Sequence, residues 1–82
     1  MADLPAKHYL GIYRCRLALA EKGITHPPSE TVNFVKELVA GLSVLQPEMK
    51  IRLESQGRYR RFIIADSGAL LAEITLPDSQ DD

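Results

Sequence analysis

The hydrophobic period of this chain changes once, near Gln46-Pro47, and that change limits what it can fold into. Before it, apolar residues recur at helical spacing. After it they alternate, as on strands with one buried face. Eighty-two residues support one core, so the two halves have to share it.

Asp3 is a good N-cap, Pro5 is tolerated in a first turn and Gly23 can supply a left-handed C-cap, so a helix is predicted over residues 3–22. At 100° per residue, Tyr9, Ile12, Tyr13, Leu17, Leu19 and Ala20 share one face, opposite Lys7, Gly11, Arg14, Glu21 and Lys22. Arg16 falls inside the apolar arc, and Gly11 weakens the helix by about 1 kcal/mol relative to Ala. A strand over residues 8–17 is the competing reading. It would leave Leu10 and Ile12 on the same side as Arg14 and Arg16, so the helix is preferred.

The prolines of "ITHPPSE" break that helix, and a second starts at Pro28 or Ser29. Its apolar side is Val32, Phe34, Val35, Leu38, Val39 and Leu42, its polar side Glu30, Asn33, Lys36 and Glu37, and Gly41 is its expected end.

Beyond Pro47, Met49, Ile51 and Leu53 alternate with Lys50, Arg52 and Glu54. A two-residue loop at Gln56-Gly57 sets Leu53 opposite Arg60, Ile51 opposite Phe62 and Met49 opposite Ile64. A three-residue loop at Asp66-Ser67-Gly68 sets Ile64 opposite Leu70, Phe62 opposite Ala72 and Arg60 opposite Ile74. Both hairpins agree on one apolar face, and a one-residue slip in either would destroy that agreement. The expected fold is α+β in two layers, with two N-terminal helices packed on a three-stranded antiparallel meander in the order ααβββ. One domain spans residues 1–77, and the acidic end, residues 78–82, is expected to be a disordered tail.

In this register the outer sheet face carries Lys50, Arg52, Glu54, Tyr59, Arg61, Ile63, Ala65, Leu71, Glu73 and Thr75. Two surfaces follow. Ile63, Ala65 and Leu71 form an apolar patch that a second copy or another protein would cover. Lys50, Arg52, Arg58, Tyr59 and Arg61 form a basic patch on which a single-stranded nucleic acid could stack and neutralise its phosphates. Net charge argues against the second: it is −1 overall, made of +1 over residues 1–47, +1 over residues 48–77 and −3 over the tail. One tyrosine is also thin for a stacking platform.

Catalysis is not expected. His8, His26 and Cys15 fall in no nucleophile, dyad or metal-ligand spacing, and Cys15 reads as a small half-buried hydrophobe. The five isolated glycines match no phosphate or dinucleotide fingerprint, so neither metal nor cofactor is expected. Apolar runs of about five residues are far short of the roughly twenty that span a bilayer. With no secretory signal pattern after Met1 and no second cysteine, a reducing cytoplasm is the expected compartment. The chain reads as a small non-enzymatic interaction module, self-associating or bound to a protein partner, with nucleic-acid binding as the alternative.

Overall fold

The structure, a computed structural model, describes residues 3–76. Its elements run β1 (Leu4–Pro5), α1 (Ala6–Glu21), α2 (Ser29–Ser43), β2 (Lys50–Gln56), β3 (Tyr59–Ile64) and β4 (Leu70–Thr75). The strands form one antiparallel sheet in the order β1-β2-β3-β4, with both helices on one face. The α+β architecture read from the sequence holds, with a fourth strand added. The acidic tail lies outside the described residues.

The added strand explains why α1 starts late. Leu4 and Pro5 pair with Ile51 and Lys50, where a proline at the sheet edge sacrifices no ladder bond. The first free N–H groups of α1 then donate to backbone carbonyls, Ala6 to Met49 at 2.8 Å and Lys7 to Pro47 at 3.0 Å. These bonds satisfy donors that a capping side chain would otherwise have to meet. Asp3 is therefore not the predicted cap, and its carboxylate turns to Arg52 instead.

Residues 8–17 are helical, and α1 ends as predicted at Gly23. Gly23 has φ +76°, its N–H donates to Ala20 and that of Ile24 to Leu19, which is the paired bonding of a Schellman cap. The buried arc is narrower than expected. Ala6 and Tyr9 are buried, with Leu10, Tyr13 and Leu17 packed beside them. Ile12 and Leu19 lie about 110–130° from the centre of that arc and are exposed.

The second helix starts at Ser29 and runs two residues past Gly41. Gly41 does not cap it. A Cβ there would lie 3.3 Å from Leu71 Cδ2, so the glycine lets β4 approach the helix closely. Phe34, Val35, Leu38 and Leu42 are buried on the face turned to the sheet.

Both hairpins differ in detail from the prediction. The first turns at Gly57-Arg58 rather than Gln56-Gly57, so Leu53 faces Phe62 and Ile51 faces Ile64. Positive φ at the first central residue alone, +59° at Gly57, is the type II′ requirement. The shift is two residues, so every side chain keeps its face. In the second hairpin, Phe62 opposite Ala72 and Arg60 opposite Ile74 agree with expectation, but a bulge between Phe62 and Ile63 places Leu70 opposite Ile63.

The core centres on Phe62 of β3, which is 1% exposed. Its ring meets Tyr9 edge-on at 5.3 Å between centroids, Tyr13 edge-on at 5.5 Å and Phe34 at 5.9 Å. Strand and both helices thus meet at one ring, in geometries that add to simple burial.

Phe62→Ala is expected to cost about 3–5 kcal/mol in urea unfolding, against a total of about 4–12 kcal/mol for 82 residues. Gly11 sits mid-helix, and nothing lies within 4 Å of the point a Cβ would occupy, so Gly11→Ala should raise stability by about 0.5–1 kcal/mol in the same measurement.

Candidate functional site

Both predicted surfaces belong to the outer sheet face, and the bulge rearranges it. Leu71 is the extra residue between the pairs Phe62–Ala72 and Ile63–Leu70. An extra residue interrupts the alternation of side chains. Leu71 therefore packs inward, against Gly41 of α2, and Leu70 takes its place outside, 50% exposed. This corrects the outward placement of Leu71.

Ile63 does lie outside the helix-facing core but is only 8% exposed, flanked by Arg52 on β2 and Leu70 on β4. The stems of long charged side chains commonly cover such a residue. Ala65 sits half-buried in the turn after β3, its N–H donating to Lys50 at 3.0 Å. The three apolar residues thus do not make one exposed patch.

Two of the four basic residues, Arg52 and Arg61, pair with carboxylates. Arg61 lies directly opposite Glu54, donating from Nη2 at 2.6 Å and Nε at 3.1 Å to the same oxygen. Arg52 donates to Asp3 from Nε at 3.2 Å. The Tyr59 hydroxyl donates to Glu73, which stands opposite Arg61 on the other side. Arg58 is the second central residue of the β2–β3 turn, and Lys50 is exposed at the start of β2. Four positive groups (Lys50, Arg52, Arg58, Arg61) against three negative (Asp3, Glu54, Glu73) leave +1 on this face. Water and salt screen such exposed pairs, so the pairing neutralises the surface more than it stabilises the fold.

The pairing also sets the ionisation of the tyrosine. Accepting the phenol's hydrogen bond, Glu73 holds Tyr59 above its ordinary value of 10.0, with desolvation adding to the effect. Glu54 raises Arg61 and Asp3 raises Arg52 in the same way, each mainly through its hydrogen bond.

The sheet's two edges differ. On one side, β1 is two residues long and contains Pro5. On the other, β4 has no strand beyond it among the described residues, and its sequence, LLAEIT, contains one charge and no proline. Its outer backbone groups are an open template for another strand. Because Gly41 packs on Leu71, the end of α2, with Val44 83% exposed, lies at the Leu70 end of this edge. That β4 ends the sheet is legible in the meander; that α2 brings Val44 beside it is not.

His8, Cys15 and His26 are apart and exposed; Cys15 is thus not the half-buried hydrophobe expected from its type. His8 meets the Tyr9 ring edge-on at 5.4 Å. Among the described residues, no three His, Cys, Asp or Glu side chains gather as a metal site would require, and no helix is long and apolar enough to cross a membrane. Comparison with known proteins found no matching family model, curated protein or solved structure.

Because the raised tyrosine favours the protonated phenol, its contribution to stability is present below pH 10 and lost as pH rises through the folded-state value. Following each tyrosine ring by NMR, Tyr59 should titrate above 10, and Glu73→Gln should bring it down toward that value.

Proposed function

We propose that this chain is a non-enzymatic assembly module that pairs β4 with β4 of a second copy around a two-fold axis. The observation that carries the reading is the open six-residue edge of β4, almost free of charge and without proline. A two-fold axis joins like surfaces, makes the new strand pair antiparallel and extends each four-stranded sheet to eight strands. Helices of both copies then lie on the same side of the joined sheet.

Charge excludes one register. An axis through Glu73 would set two carboxylates opposite each other. Centring the pair on Ile74 instead sets Glu73 of one copy across from Thr75 of the other and keeps the half-buried Ile74 side chains together on the inner face. In this register residues 72–76 of the two copies pair, and Leu70 and Val44 lie outside the paired segment.

Nucleic-acid binding on Lys50, Arg52, Arg58, Tyr59 and Arg61 is the alternative. It has less support, because the face carries a net +1 and its tyrosine is engaged by Glu73.

Light scattering across a concentration series distinguishes these readings. A dimer free of 260 nm absorbing material is expected, and its formation should be insensitive to salt. Thr75 is exposed, so Thr75→Glu preserves the fold while opposing Glu73 of the partner. Two such like-charge pairs per dimer should weaken dimerisation by about 2- to 30-fold, and Thr75→Lys should not weaken it. A strict monomer at about 1 mM would overturn the proposal.

A further inference from the structure

The two layers do not close at the end of the domain that holds the β2–β3 turn. There the C-terminal half of α1, the α1–α2 loop and the start of α2 stand off the inner sheet face and enclose an open cavity of about 670 Å³. Sites for small molecules span roughly 300–1,000 Å³. Protein interiors are otherwise close-packed, so a hollow of this size beside the core of an 82-residue chain is a feature to account for.

Its lining is chemically simple. Phe34 and Phe62, two rings of the central cluster, reach it, and aliphatic residues such as Leu17, Val32, Leu53 and Ile74 supply much of the rest. Among the described residues no acidic side chain lines it, but Arg16 and Arg60 do. The Arg16 guanidinium carbon stands 5.1 Å from the centroid of the Tyr13 ring, which holds the charge at the cavity. Arg60 commits Nη1 to the carbonyls of Gly57 at 2.6 Å and Tyr59 at 3.0 Å, leaving Nε and Nη2 as donors. Among the described residues neither arginine has a carboxylate partner, whereas Arg52 and Arg61 on the outer face both do.

An apolar hollow bounded by two uncompensated guanidinium groups is complementary to an apolar body with one anionic head. The volume favours a slender body. Two turns of an α-helix about 10 Å wide occupy about 850 Å³, more than the cavity holds, whereas an alkyl chain can thread between the layers. We propose that this cavity binds one free straight-chain alkyl carboxylic acid, its chain against Phe34 and Phe62 and its carboxylate on Arg16 and Arg60. Planar guanidinium groups match carboxylate geometry, and each methylene taken from water adds affinity. The two proposals share Ile74 but rest on different groups, the site on Arg16 and Arg60 and the pairing on the outer backbone of β4, so separate variants test them.

Titration calorimetry with dodecanoate tests this, since the chain has no tryptophan to report binding. One dodecanoate per chain is expected, bound at least about tenfold more tightly than dodecanol, because the alcohol offers no charge to the arginines. The Arg16→Gln/Arg60→Gln double variant should lose at least about tenfold for dodecanoate and nothing for dodecanol. Val32→Trp, with circular dichroism to verify the fold, should block both ligands by filling the cavity. The Thr75→Glu variant should bind dodecanoate as the parent does. Absence of binding, equal affinity for acid and alcohol, or indifference to the double variant would each overturn the proposal. So would retention on vesicles of anionic phospholipid without binding of dodecanoate, which would assign the same chemistry to a lipid surface.

Discussion

Three aromatic rings from two helices converge on Phe62, and the rest of the domain is arranged around that contact. Tyr9 and Tyr13 approach from α1 and Phe34 from α2, so a side chain of the interior strand β3 ties both layers together. Edge-on and tilted packing fixes how the rings sit as well as how much surface they bury. A small domain has few such contacts to distribute, so the position of this one sets the separation of helix and sheet around it.

The consequences appear at both ends of the layer. Toward β1, backbone bonds from Ala6 and Lys7 to the segment entering β2 bind α1 to the sheet. On the β4 side, the absence of a side chain at Gly41 brings α2 down onto Leu71. Toward the β2–β3 turn no comparable contact exists among the described residues, and the layers diverge to leave the apolar cavity with Arg16 and Arg60 beside it. The outer face has the opposite character: its charges lie in opposed pairs such as Glu54–Arg61, and its central apolar residue, Ile63, is covered. Among the described residues, unpaired strand backbone and uncovered apolar surface are therefore found at the open edge and in the hollow.

Much of the architecture is legible in the residues because helical and strand periods differ so plainly about Pro47. Face assignment along β2 and β3 withstands a misplaced turn, since a two-residue shift preserves the side of every residue. The exchange of Leu70 and Leu71 is not legible. It depends on a bulge that answers to the helix above, and the apolar pair "LL" accepts either orientation. Asp3 misleads for a related reason: a good capping residue is needed only where no other acceptor meets the first N–H groups, and here Met49 and Pro47, distant in the chain, supply those acceptors. The candidate interface is thus half visible. The edge position of β4 follows from the meander, but which side chains stand exposed beside it depends on packing.

By itself, the sequence determined the fold class, the two helices, the meander and the two faces of its longer strands, because periodicity, prolines and turn glycines act through neighbours in the chain. The tertiary structure decided the fourth strand, the bulge, the pairing of the outer charges and the opening between the layers. Each of these depends on groups distant in sequence meeting in space, where backbone acceptors replace an expected cap and a missing Cβ sets how closely two layers approach.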